Sequence, residues 1–272
     1  MPAGSTSDGP VPPLARGACQ VWWARPEDVR PAHDALLDEA DLRRRARLLS
    51  AADRQRFTAG AALARLVLGV HAGRPAGQLR IDRSCARCGA PHGKPFLTGV
   101  RDLSFSVSHS TGCVVVAVRR GAPVGVDVEQ VVPWTAAELA DVAHLTLAAE
   151  ERAALFDAPT GTRAADFATY WTRKEAALKA TGAGLLAPLD EVVVSPPASP
   201  PRVLRWGGPD GAAPPTLSTL RPPAGYVAAL ALVDGPADVV EADAAPLLAA
   251  RPGDGSRQTS RRLSWATTRS QR

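Results

Sequence analysis

The sequence predicts an α+β fold, on three observations. Segments with strand-like alternation and segments with helical spacing occur in both halves of the chain, without the regular β–α–β order of a doubly wound sheet. Hydrophobic residues make up 45% of the 272 positions, so the chain can bury a substantial core. This composition also excludes a collagen-like chain and a wholly disordered one.

The first half contains one early strand, two helices and a group of later strands. The run CQVWWA from Cys19 predicts the first strand. Residues 35–49 and 53–70 have helical spacing, and Ser50 and Asp53 are candidate N-caps. After a loop with two cysteines, strands are predicted at 103–110, 113–119 and 123–131.

The second half continues with helices and then returns to strands. Helices are predicted near 135–145, 148–156 and 162–181, and strands at 191–194, 202–206, 216–220 and 226–233. We divide the chain into a disordered N-terminus (1–16), an N-terminal subdomain (17–122), a C-terminal subdomain (123–240) and a poorly ordered basic tail (241–272).

The charge distribution argues against nucleic acid as a partner. The formal net charge of +5 lies within residues 251–272, so the rest of the chain has no basic surplus to attract phosphates. No targeting or membrane-spanning segment is visible, and we expect a cytoplasmic protein. All but three of the 32 Lys and Arg residues are arginine, which suggests that Lys94, Lys174 and Lys179 stand where a compact ammonium is required. The alternative is sampling noise in an arginine-rich chain.

Two acidic residues occupy one face of a predicted strand in the run GVDVEQV. Asp127 and Glu129 lie two positions apart, so an extended backbone points both carboxylates to the same side. A hard cation such as Mg²⁺ would relieve their repulsion. The alternative is a solvent-exposed strand face with two acids of no special role.

A predicted helix, FATYWTRKEAALKATGAGL, places an acid beside an apolar stripe. Glu175 lies on the flank of Trp171, with Lys174 and Lys179 on either side. This pattern indicates a phosphate site, although Glu175 and Lys179 could equally form an ordinary i, i+4 ion pair. Upstream, Lys94 lies in a Gly-Pro turn.

Taken in series, GKP, FSVSHS, GVDVE and WTRKEAALK resemble the 4′-phosphopantetheinyl transferases of the larger, surfactin-synthetase type. The resemblance runs from about residue 40 to about residue 235. It implies two similar α/β subdomains related by a pseudo-twofold axis, with the active site in the cleft between them, in a chain that acts as a monomer.

The resemblance implies transfer of 4′-phosphopantetheine from coenzyme A to a serine of an acyl, peptidyl or aryl carrier protein. Mg²⁺ would be held by Asp127, Glu129 and Glu175. The catalytic roles would fall to Glu175 and Lys179, with Glu175 or a metal-bound water as the base. The residues implied in holding coenzyme A are Arg44, Arg56, Lys94, Ser108, His109 and Lys174. For the two arginine positions, Arg43, Arg45, Arg47 and Arg54 are the competing candidates. A further acid is expected at Glu150 or Glu151.

Three questions stay open from the sequence. Cys85, Cys88 and His92 (CARCGAPH) could form a zinc knuckle, a disulfide or plain loop thiols. The chain could instead be a Mg²⁺-dependent nucleotide hydrolase, or a binding module for coenzyme A or carrier proteins without transferase activity. The basic tail could steer acidic carriers towards the enzyme.

Overall fold

The computed structural model describes residues 11–85, 88–184, 188–208, 211–250 and 266–268 and has the mixed α and β structure that the sequence predicts. The strands are β1 (Cys19–Ala24), β2 (Ile81–Asp82), β3 (Phe96–Leu97), β4 (Leu103–Ser110), β5 (Cys113–Arg120), β6 (Val124–Gln130), β7 (Val193–Val194), β8 (Val203–Arg205), β9 (Thr216–Thr219), β10 (Tyr226–Leu232), β11 (Val239–Asp243) and β12 (Ala266–Thr268). The α-helices are α1 (Glu39–Ala46), α2 (Ala51–Ala72), α3 (Ala136–Thr146), α4 (Ala149–Asp157), α5 (Arg163–Thr181) and α6 (Ala245–Ala249).

Two sheets form the framework. The five-stranded sheet has the order β12-β11-β1-β5-β4, in which only the β1–β11 pair is parallel. The three-stranded sheet, β6-β10-β9, is antiparallel throughout. Helix α2 packs on the larger sheet through Leu63 and Val67, both fully buried. Among the described residues, no helix is long and apolar enough to cross a bilayer.

A ladder of serines joins the two sheets. Because side chains alternate along β4, its four serines point to one face, and that face lies against β6. The hydroxyls accept backbone N–H groups of β6 in three pairs: Ser104 from Val124 (3.2 Å), Ser106 from Val126 (3.1 Å) and Ser110 from Gln130 (3.1 Å). These hydrogen bonds give the backbone N–H groups along this edge of β6 their acceptors, and they fix the position of β6 relative to β4.

Helix α5 lies unusually close to β6, and Gly125 permits this approach. A Cβ atom at position 125 would lie 2.1 Å from the carbonyl oxygen of Ala176 and 2.4 Å from the amide nitrogen of Ala180. Any larger residue would push the helix away from the strand. The glycine of the GVDVE run therefore sets the distance between the two elements that bear its acids and Glu175.

Two of the predicted domain boundaries differ from what the structure shows. Residue 240 falls inside β11, which pairs with β1 and so belongs to the sheet of the N-terminal half. Helix α6 follows, so 241–250 is not a poorly ordered tail. Within 11–16, Val11 and Leu14 are buried in the core. Residues 1–10, 251–265 and 269–272 of the two predicted terminal segments lie outside the described residues.

The helix starts also differ in detail from the prediction. Helix α1 begins at Glu39 rather than at residue 35, because Asp38 is its N-cap and the preceding turn is a 3₁₀ helix. Ser50 caps α2 as predicted, with its hydroxyl accepting the Asp53 N–H at 2.9 Å. Asp53 is the third residue of that helix and not a cap itself.

Candidate active site

A pocket of about 450 Å³ lies between the two halves of the chain, with walls from α1, α2, β2, β4, β6 and α5. The structure brings seven of the predicted site residues to its lining: Arg44, Ser108, His109, Asp127, Glu129, Glu175 and Lys179. The alternative of a solvent-exposed acidic strand face is thereby excluded, because Asp127 is 2% exposed. Its strand neighbours Val126 and Val128 face the core, as the alternation requires.

Asp127 is held by one of its two oxygens. Its Oδ1 accepts a hydrogen bond from the Ser108 hydroxyl at 2.7 Å and an ion pair from Lys179 Nζ at 2.6 Å. The Lys179 ammonium also donates to the Ser108 hydroxyl at 3.1 Å. The other oxygen, Oδ2, is buried with no hydrogen-bond partner among the described residues. A buried carboxylate oxygen of this kind is costly unless a ligand meets it.

The other two acids are destabilised as anions. Burial and the neighbouring Asp127 charge raise the pKa of Glu129, although its Oε2 accepts the Ser110 hydroxyl at 2.8 Å. Burial and then the Asp127 charge also raise the pKa of Glu175. Glu175 Oε1 is buried and, within the described ranges, has no partner. Two unpartnered carboxylate oxygens in one pocket, with a third acid beside them, match the oxygen ligands that Mg²⁺ prefers.

Arg44 of helix α1 lines the pocket together with the acids of β6 and α5. Arg44 Nη1 is buried and unpartnered among the residues that the structure describes. Its helix is anchored by Arg65, which is fully buried and donates to Asp38 and Asp41, in each case at 2.6 Å. An unpartnered guanidinium nitrogen in a pocket is a site for an anionic oxygen, such as that of a phosphate.

Arg83 also lines the pocket, and the sequence reasoning missed it. Burial, and then the charge of Arg44, lower the pKa of Arg83, whereas the charge of Asp41 raises it. The distance between Asp41 Oδ1 and Arg83 Nη2 is 3.9 Å. No local pattern marks Arg83, since it stands in a loop of irregular sequence between β2 and the cysteines.

His109 and Arg56 lie together at the end of β4. Burial, and then the Arg56 charge, lower the pKa of His109, which therefore favours the neutral imidazole. Arg56 pairs with Asp53 and donates to the Thr111 carbonyl at 3.2 Å. It does not line the pocket, so its predicted contact with coenzyme A is not supported by this placement.

Lys174 is not brought to the pocket. Its side chain is 1% exposed, and its ammonium pairs with Glu151 Oε2 at 2.5 Å and donates to the carbonyls of Thr146 and Leu189. The prediction that it helps to hold coenzyme A is therefore corrected. Lys174 is one residue before Glu175, and one residue turns a side chain by 100° around a helix, which here points it towards α3 and α4.

Glu151 and Glu150, the two candidates for a further acid, also lie away from the pocket lining. Glu151 accepts the backbone N–H of Ala148 (2.9 Å) and of Val194 (2.8 Å) in addition to its ion pair. Glu150 pairs with Arg205 at the surface. Neither acid is available to a ligand in the pocket, because both already have their partners.

Lys94 does not line the pocket, and its ammonium binds carbonyl groups at the C-terminal end of α5. Its ammonium donates to three carbonyls, those of Val124 (2.7 Å), Lys179 (2.6 Å) and Ala180 (3.0 Å). Burial lowers the pKa of Lys94 to about 7. The predicted contact with coenzyme A is thus replaced by a positioning role, since Lys94 ties the last turn of α5 to the start of β6.

Comparison with known proteins points to one family. Residues 123–231 match the family model of the 4′-phosphopantetheinyl transferase superfamily, a range that includes β6, α5 and β10. The chain is 33% identical over 175 residues to the 4′-phosphopantetheinyl transferase HetI of Nostoc sp., covering 63% of this chain and 70% of that protein.

Two further relatives match over shorter ranges. The L-aminoadipate-semialdehyde dehydrogenase-phosphopantetheinyl transferase of Eremothecium gossypii is 36% identical, covering 56% of this chain and 58% of that protein. A 4′-phosphopantetheinyl transferase of Bacillus subtilis is 32% identical, covering 38% of this chain and 44% of that protein. The family model and these relatives agree, so the chain belongs to the 4′-phosphopantetheinyl transferase superfamily.

Proposed function

We propose that the pocket transfers the 4′-phosphopantetheine group from coenzyme A to a serine of an apo acyl, peptidyl or aryl carrier protein. The observation that carries this proposal is that, in a member of this superfamily, one pocket contains three buried polar atoms with no partner among the described residues: Arg44 Nη1, Asp127 Oδ2 and Glu175 Oε1. The arginine suits a phosphate, and the two carboxylates suit a cation that a pyrophosphate would bring with it.

In the proposed reaction, the serine hydroxyl attacks the phosphorus that carries the pantetheine. A new P–O bond to the carrier forms, the bond to the nucleotide breaks, and adenosine 3′,5′-bisphosphate leaves. Glu175 would accept the serine proton, because it lines the pocket and its Oε1 has no partner among the described residues. Phosphoryl transfer otherwise depends on positioning and charge neutralisation more than on covalent chemistry by the protein.

Lys179 is the proposed neutralising group. Two of the three ammonium donors are used by Asp127 and Ser108, which leaves one for a phosphate oxygen. Asp127, Glu129 and Glu175 would hold Mg²⁺, which would supply charge neutralisation to the pyrophosphate when bound. Arg44, with Arg83 beside it, would receive a further phosphate of coenzyme A.

We further propose that the protein acts as a cytoplasmic monomer with two similar α/β halves related by a pseudo-twofold axis. Helix α2 packs on β4 and β5 much as α5 packs on β6 and β10, which supports this relation between the halves. Asp127, Glu129 and Glu175 come from the proposed C-terminal subdomain (123–240), whereas Arg44 and Arg83 come from the N-terminal one (17–122). Both halves would therefore be required for activity.

The test measures two products at once. The full chain is incubated with coenzyme A, Mg²⁺ and each of several apo carrier proteins, and adenosine 3′,5′-bisphosphate and the carrier mass are followed together. We expect equal amounts of released nucleotide and modified carrier, and no release without a carrier. Nucleotide release without a carrier would indicate a hydrolase. Coenzyme A binding without either product would indicate a binding module.

A further inference from the structure

A second cluster of metal-binding side chains lies outside the pocket, in the loop between β2 and β3. The ligand atoms of Cys85, Cys88 and His92 all lie within 4.8 Å of one another. Cys88 Sγ and His92 Nε2 are 3.1 Å apart. None of these three residues lines the pocket, and the proposed transfer reaction uses none of them.

The backbone of the loop is folded around this cluster. Cys85 N–H donates to the Ala90 carbonyl and Gly89 N–H donates to the Cys85 carbonyl, both at 2.8 Å. Gly89 adopts φ 72°, a left-handed conformation that glycine accepts without strain. The turn after the second cysteine thereby brings His92 back towards both sulfur atoms.

We propose that Cys85, Cys88 and His92 bind one Zn²⁺ ion, with water as the fourth ligand. Two thiolates and an imidazole form a ligand set that Zn²⁺ favours over Mg²⁺ or Ca²⁺. Bond lengths of about 2.3 Å to sulfur and about 2.0 Å to nitrogen place tetrahedral ligands roughly 3.5–4 Å apart. The ligand atoms here lie within 4.8 Å of one another, with Cys88 and His92 at 3.1 Å, so small side-chain movements would bring them to these distances. On binding, both thiols release their protons to solvent, and the imidazole binds in its neutral form.

The presence of the histidine favours zinc over the two other states of the cysteines. A disulfide between Cys85 and Cys88 would use both sulfur atoms and give His92 no role in the cluster. Plain loop thiols would not require an imidazole within hydrogen-bond distance of Cys88. Cys85 is 9% exposed while Cys88 and His92 face solvent, so a metal ion can enter from the open side.

The metal site would stabilise a loop whose two ends adjoin residues that line the pocket or position its walls. Arg83, which lines the pocket, lies two residues before Cys85. Lys94, which ties α5 to β6, lies two residues after His92. Between them Gly93 is packed so closely that a Cβ atom would lie 2.6 Å from the Ser84 carbonyl oxygen. Bound zinc would therefore hold this loop together, and it would not enter the transfer chemistry.

The test is a zinc titration of the full chain after reduction and removal of metal, with a chromophoric chelator as the competitor. We expect one Zn²⁺ per chain, and a melting temperature raised by roughly 5 °C or more at saturating zinc. Cys88→Ser and His92→Asn should each weaken zinc binding by more than about 100-fold. His144→Asn, at an exposed position on α3, is the matched control and should bind zinc as the parent does.

Asp127→Asn should also retain the zinc affinity, which separates this site from the acidic pocket. Failure to bind zinc stoichiometrically, or equal binding by Cys88→Ser and the parent, would overturn the proposal. So would a Cys85–Cys88 disulfide in protein alkylated directly in intact cells. Because none of these readouts involves a carrier protein, the zinc proposal and the transferase proposal can fail independently.

Discussion

Replacing Lys174 by methionine should unfold the protein more readily without weakening coenzyme A binding. The substitution leaves the Glu151 carboxylate buried and unpaired, and it removes the donor to the carbonyls of Thr146 and Leu189. The two side chains of the ion pair are 1% and 2% exposed, so solvent cannot take the place of the lost partner. Breaking a buried ion pair from one side costs about 3–5 kcal/mol. For a chain of this size, the melting temperature should fall by about 10 °C.

The assay is urea unfolding followed by the fluorescence of the six tryptophans, with calorimetry for coenzyme A under folded conditions. The urea midpoint should fall, while the dissociation constant of coenzyme A should stay within about twofold of the parent. The double variant Lys174→Met/Glu151→Gln should lose less free energy of unfolding than the two single variants together. The second change removes the carboxylate charge that Lys174→Met leaves without a partner cation. A variant of normal stability that binds coenzyme A at least tenfold more weakly would refute the buried position of Lys174.

Three further predictions concern the pocket and its framework. Lys179→Arg should lower turnover more than about tenfold, because a planar guanidinium cannot replace a compact ammonium between Asp127 and a phosphate; near-normal steady-state turnover would contradict this role. Gly125→Ala should destabilise the fold by about 3 kcal/mol in urea unfolding, since its Cβ would overlap α5, whereas Gly161→Ala, with open space around it, should not. Burial, and then the Arg120 charge, lower the pKa of His71 to about 4, so the unfolded chain binds a proton between pH 6.5 and 4 that the folded chain does not. Stability should therefore fall as the pH is lowered through this window, and His71→Gln should reduce the slope by up to about 1.4 kcal/mol per pH unit; an unchanged slope would be inconsistent with a partly buried, neutral ring.

The sequence predicts well those elements whose pattern is local. Strands β4, β5 and β6 and helix α5 lie within about one residue of their predicted ends. Asp127 and Glu129 share a face because a strand alternates, and that rule needs no tertiary information. The serine ladder follows from the same alternation in β4, although its partners on β6 become visible only in the structure.

The remainder depends on contacts between distant parts of the chain. Strand β11 pairs with β1 across more than 200 residues, and nothing in its own five residues reveals that partner. Lys94 and Lys174 are rare residues in motif segments, which suggested contact with a ligand. Their partners are carbonyls and an acid on other elements, so only the fold shows that they are positioning residues. For the same reason, the sequence does not show that Arg83 lines the pocket.

In the proposed function, the carboxylate pocket performs the transfer. The most direct measurement compares Asp127→Asn with Asp141→Asn, a matched change at an exposed residue of α3, in their ability to modify an apo carrier protein. The mass of the carrier serine peptide is followed with coenzyme A and Mg²⁺ present. We expect Asp141→Asn to match the parent and Asp127→Asn to lose at least about 100-fold in rate. Equal modification by both variants would contradict the account.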